Sequence, residues 1–287
     1  MSNIRLFAGE KLLVILSMIG FAFAAGISFY IAIYGSIIPP EGNLERAFSF
    51  NAALALFTLT IAAILPLANI SPRKRSTLRW VIITTTLYAY AVETIQHFRG
   101  INPRFSRAGS VGDSIIGALF GLDSLLIIIV TVLIAIPFFR KAQTNDHPLL
   151  ILGIRYGFIS TMIAFGGGLW MIALQSRYIG EYGNLIVLHG IGFHALQALP
   201  ILGLLLELAN IEQKKARLLG HTGCLAWTFS LLLIGIQTGL GRSVFELTLL
   251  PIFSGVMLLV WMVTVVIVTS DLIRTVDVSD NQDHSPI

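Results

Sequence analysis

The sequence predicts an all-α, polytopic integral membrane bundle of about eight transmembrane helices, and three observations carry that prediction. The 287 residues are 55% hydrophobic and 12% charged, whereas soluble domains carry about 25% charged residues. The apolar residues form continuous segments long enough to cross a bilayer as helices, for which about 20 residues are needed. These segments do not show the alternation of apolar and polar residues that a membrane β-barrel requires.

The predicted helices follow one another through short loops and form one transmembrane domain over residues 1–270. Their approximate limits are 11–34, 47–70, 78–98, 114–138, 149–174, 184–207, 218–239 and 247–270. The first apolar segment continues to Tyr34, which is too long for the core of a cleaved signal peptide, so we expect it to be retained. Residues 271–287 are polar and acidic and predict a disordered cytoplasmic tail.

The positions of lysine and arginine predict that both termini face the cytoplasm. In that orientation the inner side holds 13 of the 19 Lys and Arg residues and the outer side holds 6, as the positive-inside rule requires. The basic runs at 73–75 and 214–217 are interpreted as stop signals, and the net charge of +4 does not indicate nucleic-acid binding. We expect a multi-pass protein of the plasma membrane in contact with the lipid bilayer.

The two basic runs follow the second and the sixth predicted helix, and this placement hints at a duplication of four helices. No residue-level match between the halves is evident from the sequence, so the prediction stays at one domain. The single cysteine, Cys224, excludes a disulfide framework.

Ionisable side chains concentrate in the predicted outer half of the bundle. Glu93 and His97 end the third helix four residues apart, so they share a face and can hydrogen-bond. Asp123 lies about 13 Å below the outer edge in the fourth helix, and His189 and His194 lie about 7 and 15 Å below it in the sixth. Such groups are costly at membrane depth and are usually functional. The sequence therefore predicts a site built from the third, fourth and sixth helices.

His97 and His189 are the predicted ligands of a haem or of a divalent metal ion, because they lie at similar depth on different helices. Glu93 would orient His97 by contacting the ring nitrogen of His97 that does not bind the metal. His189 and His194 are about 140° apart on an ideal helix and are not expected to bind the same ion. Glu93, His194 and Asp123 are the predicted catalytic groups, relaying protons or contacting a membrane-soluble or small-molecule substrate.

Three classes of function fit this set of residues. The leading one is a membrane oxidoreductase or related metalloprotein, and a metal that activates water would instead give a membrane hydrolase. The second is a small-solute or proton-coupled transporter that uses the same side chains as a relay. The third is a non-catalytic partner subunit whose polar groups only join helices. The sequence contains no P-loop, which argues against ATP-driven transport by this chain alone.

Overall fold

The computed structural model describes residues 4–140, 147–209 and 211–283, and they form eight α-helices and two short β-hairpins. The helices are α1 (Lys11–Tyr34), α2 (Leu44–Ile64), α3 (Pro72–Phe98), α4 (Val111–Phe138), α5 (Pro148–Leu174), α6 (Leu185–Leu208), α7 (Gln213–Gly239) and α8 (Leu249–Asp283). The antiparallel hairpins pair β1 (Ile37–Ile38) with β2 (Gly42–Asn43) and β3 (Tyr178–Ile179) with β4 (Gly183–Asn184). The predicted helical membrane bundle is confirmed: in the described part, every helix except α3 is long and apolar enough to cross a membrane.

Two details at the ends of elements differ from the sequence prediction. The hairpins were not predicted, because strands of two residues are too short to show a periodic pattern. Helix α8 continues past residue 270 to Asp283, and residues 284–287 of the predicted tail lie outside the described residues. The disorder of that tail stays a prediction.

The helices group into two compact units of four. Unit 1 is Met1–Pro137 and contains all of α1–α3 and nearly all of α4, and unit 2 is Phe138–Ile287 and contains α5–α8. The prediction of one transmembrane domain over residues 1–270 stays a prediction.

Helix α3 crosses the full height of unit 1 although its composition is polar. At its start, the Nε atoms of Arg75 and Arg79 lie 2.5 and 2.6 Å from the carboxylate of Glu10, the residue before α1. At its end, the backbone N–H of Asn43, the residue before α2, donates to the Nδ1 atom of His97 at 3.1 Å. The end that carries the hairpin is called the outer end, following the predicted orientation. Arg75, which belongs to the predicted stop signal, also pairs with a fully buried carboxylate, and its role as a stop signal stays a prediction.

The two units repeat one another at a spacing of 141 residues. Helix α2 begins at Leu44 and α6 at Leu185, while α3 and α7 both have 27 residues and begin at Pro72 and Gln213. The tripeptide Gly-Asn-Leu stands at 42–44 and again at 183–185. The hinted duplication therefore has a residue-level match, contrary to what was evident from the sequence.

The backbone contacts that close the outer end are also repeated. The N–H of Glu41 donates to the carbonyl of Gly100 at 2.8 Å, and the N–H of Tyr182 donates to the carbonyl of Gly241 at 3.0 Å. Gly100 and Gly241 have φ values of +76° and +74°, a conformation that favours glycine because it has no Cβ. One turn geometry is thus built twice, once in each unit.

Apolar clusters support the outer end of each unit at equivalent positions. In unit 1, Leu44 packs with Ala47 and Ile27, and in unit 2 Leu185 packs with Leu188 and other buried residues. The outer fold of both units therefore has an apolar core of its own.

Candidate functional site

The outer end of α3 carries a buried acid–histidine pair. Glu93 and His97 are both 0% exposed, and the Nε2 atom of His97 lies 3.3 Å from the Oε1 atom of Glu93. The structure therefore brings these two predicted site residues together, as their spacing on one helix face requires.

Both ring nitrogens of His97 face a partner. The Nδ1 atom accepts the N–H of Asn43, so in the neutral ring the proton sits on Nε2. This Nε2 atom lies 3.3 Å from Glu93 Oε1 but makes no hydrogen bond among the described residues. Neither nitrogen then presents a lone pair to a metal ion in this arrangement. Binding of a metal or haem by His97 stays a prediction, and it would require one of these contacts to break.

Arg104, from the loop between α3 and α4, completes the pair and was not predicted as a site residue. Its Nη1 and Nη2 atoms lie 3.2 and 2.8 Å from the two carboxylate oxygens of Glu93. Its guanidinium carbon lies 5.0 Å from the ring centroid of Phe50 and 5.3 Å from that of Phe120. A carboxylate and two aromatic faces both attract a guanidinium, so Arg104 is held on three sides.

Glu41, in the tip of the β1–β2 hairpin, fastens the loop that carries Arg104. Its carboxylate accepts hydrogen bonds from the hydroxyl of Ser106 at 2.5 Å and from the backbone N–H groups of Arg107, Ala108 and Asn102 at 2.8, 3.2 and 3.3 Å. The hydrogen bond from Ser106, with those from the backbone, lowers the pKa of Glu41 below its ordinary value of 4.5, although burial opposes the shift.

A second ion pair joins the end of α3 to the start of α4. The Nη1 atom of Arg99 donates to Asp113 Oδ1 at 2.6 Å, and the amide of Gln96 donates to the same oxygen at 3.1 Å. The loop between the two helices is therefore fastened near both ends, and its middle carries Arg104.

Asp123 lies deeper on α4 and faces inward. It is 7% exposed, and its Oδ2 atom has no hydrogen-bond partner among the described residues. It follows Phe120 by three positions, so both side chains lie on one face of α4 and Asp123 is about 4.5 Å deeper. Tyr88 is close enough to interact with Asp123 electrostatically and donates its hydroxyl to the carbonyl of Ile116 at 3.1 Å.

The two predicted histidines of α6 lie in different environments in unit 2. The Nδ1 atom of His189 lies 2.9 Å from the carbonyl of Ala164, to which it must donate. The centroid of its ring lies 4.6 Å from that of Phe193, with the two ring planes tilted by 59°. His194 is exposed on the surface of α6. The shared cofactor of His97 and His189, and the relay from His194 to Asp123, join residues of different units and stay predictions.

No group of three or more His, Cys, Asp or Glu side chains in the described part of the chain could hold a metal ion. The structure therefore adds no support to the predicted metal site.

The repeat allows the outer ends of the two units to be compared position by position. Four outer positions that hold a charged residue or a histidine in unit 1 hold neutral residues in unit 2. Glu41, Glu93, His97 and Arg104 correspond, at the spacing of 141, to Tyr182, Ile234, Thr238 and Phe245. Unit 2 closes its outer end through the same backbone contacts without these charges.

Comparison of the chain with protein-family models, with curated proteins and with solved structures finds no match.

Proposed function

We propose that this multi-pass membrane protein is a proton- or cation-coupled transporter of a small solute, and that Asp123 is the group that binds the coupling ion. The observation that carries the proposal is a carboxylate at membrane depth, 7% exposed and with one oxygen unpartnered among the described residues. A buried acid in a membrane helix is costly and typically marks an ion pathway.

The repeat supports a functional role for the charges of unit 1. The equivalent turn of unit 2 is built with Ile234 and Phe245 at the positions of Glu93 and Arg104. This turn can therefore form without the charges, which supports a role for them beyond the fold. Two carboxylates lie at different depths in the predicted outer half, with Glu93 nearer the outer end and Asp123 deeper. Ion coupling is the role that fits two carboxylates placed in this way.

The internal duplication is also typical of this class. Many secondary transporters consist of two structural repeats. Each unit here contains four helices, which fits a transporter built from two repeats.

A metal- or haem-containing oxidoreductase is the second candidate, and His189 favours it. A histidine that ligates a metal usually donates its other ring N–H to a carbonyl or carboxylate, and His189 Nδ1 has this contact with Ala164. His97 fits the same role less well because both of its nitrogens face protein groups. A haem absorption band from the purified protein that is lost in His189→Ala would favour this candidate.

The transporter proposal is tested by proton uptake into proteoliposomes. Vesicles that contain a pH-sensitive dye and the full-length protein are energised by a potassium diffusion potential. Wild-type protein is expected to accelerate internal acidification, and Asp123→Asn is expected to reduce the rate to that of protein-free vesicles. The matched control is Asp271→Asn, which removes a carboxylate paired with Lys215 on the surface and should leave the rate unchanged. Equal rates for Asp123→Asn and wild type would contradict the proposal.

A further inference from the structure

The guanidinium of Arg104 occupies a receptor that three different helices build. Phe50 comes from α2, Glu93 from α3 and Phe120 from α4, while Arg104 itself comes from the loop that follows α3. The receptor and its occupant are therefore separate parts of the chain. Moving the loop would empty the receptor without moving its walls.

The chemistry of the receptor is that of an organic-cation site. Two aromatic faces about 5 Å from the charge supply cation–π attraction. A fully buried carboxylate supplies two oxygens, of which one accepts a hydrogen bond from Nη1 at 3.2 Å and the other lies 2.8 Å from Nη2 as an ion-pair contact. Na⁺ and K⁺ would gain little from the ring faces, so the site favours a larger cation with a delocalised or alkylated charge.

The loop that carries Arg104 is fastened by contacts that can be released. Glu41 holds it through the Ser106 hydroxyl and three backbone N–H groups, and the side chain of Asn102 accepts the N–H of Arg104 at 3.0 Å. The side chain of Arg104 remains 33% exposed, so solvent reaches the occupied receptor from outside.

We infer that Phe50, Phe120 and Glu93 form the outer binding site for a monovalent organic cation of the guanidinium class, and that Arg104 is an internal occupant that closes this site. The inference rests on the proposed transport function and names the substrate class. A cation that replaces Arg104 would lie on the outer side of Asp123. Asp123 is on the same face of α4 as Phe120 and is the next carboxylate in the inward direction. His97 holds the far side of Glu93 through its Nε2 atom.

The inference is tested by replacing the internal occupant with a free one. Arg104→Ala removes the guanidinium and leaves the three walls intact. Its Tm in detergent is measured with guanidinium chloride at about 10 mM, far below denaturing concentrations, and with sodium chloride at the same ionic strength. A ligand that binds only the folded state raises Tm, and we expect an increase of about 3 °C with guanidinium over sodium.

Two controls assign that increase to the receptor. Wild type, whose receptor is occupied, and Arg107→Ala, which removes an exposed arginine of the same loop, should show no guanidinium-specific increase. Arg104→Ala combined with Glu93→Gln should lose the increase because the carboxylate is gone. Arg104→Gln is measured in parallel, so that the test does not depend on the folding of one variant.

The result that overturns the inference is an equal Tm in guanidinium and sodium for both Arg104→Ala and Arg104→Gln. An increase that persists after Glu93→Gln would overturn it as well. Neither result would affect the proposal that proton uptake depends on Asp123. Conversely, if Asp123→Asn did not reduce proton uptake while guanidinium still raised the Tm of Arg104→Ala, the proposed coupling would be refuted and the binding site would stand.

Discussion

Residue scale: Glu93 stands between two partners of different character. Arg104 approaches both of its carboxylate oxygens and His97 approaches one of them. The contact with His97 could be predicted from the sequence, since residues four apart on a helix meet. The contact with Arg104 could not be predicted, because Arg104 lies in a loop and the path of a loop does not follow from a periodic sequence pattern. The Asn102–Pro103 turn indicates only that the chain changes direction there.

Glu93→Gln is expected to lower the free energy of unfolding by about 2 kcal/mol, because it leaves the guanidinium of Arg104 without its counter-charge. The partial exposure of Arg104 keeps this cost below that of a fully buried pair. Arg104→Gln and the double variant complete a double-mutant cycle, measured by thermal unfolding in detergent. A coupling free energy near zero would show that the ion pair contributes nothing to stability.

Element scale: the β1–β2 hairpin and the loop from α3 to α4 form one closed structure at the outer end of unit 1. The helices on either side could be predicted because their apolar segments are long. The hairpin and the closed loop could not, since they depend on single contacts such as those of Glu41 and Gly100 with the neighbouring backbone. Two signals in the sequence identify them in retrospect: the repeated Gly-Asn-Leu tripeptide and the glycines at 100 and 241.

The loop over residues 101–110 is expected to lose protection from hydrogen–deuterium exchange in acid. Its hydrogen bonds lower the pKa of Glu41 in the folded state, so the stabilisation is complete above pH 4.5 and is lost as the pH falls through the lower folded value.

The measurement is the protection factor of peptides from this loop, corrected for intrinsic exchange, between pH 7 and pH 3. Glu41→Gln should show low protection at every pH, whereas Glu45→Gln, an exposed acid on the first turn of α2, should behave as wild type. Protection in Glu41→Gln that equals wild type at pH 7 would contradict the role given to Glu41.

Whole-molecule scale: the described chain repeats one order of helices, hairpin and outer turn, with ionisable side chains at four outer positions of unit 1 and neutral residues at the matching positions of unit 2. Composition and hydropathy were sufficient to predict the eight helices of the described residues, although only seven of them are apolar enough to count as membrane spans. The duplication was not recognised from sequence because the matching residues are few and widely spaced. The difference in charge between matching positions of the two units could be recognised only with the structure, since it depends on which positions correspond.

The most direct test of the central claim replaces the charges of unit 1 with their counterparts from unit 2. The variant carries Glu41→Tyr, Glu93→Ile, His97→Thr and Arg104→Phe, and its proton uptake is measured in proteoliposomes beside its Tm and its helix content. We expect a folded protein with wild-type helix content and proton uptake at the level of protein-free vesicles. A folded variant that transports protons at the wild-type rate, or a chain that no longer folds, would contradict the claim that these charges serve function rather than fold.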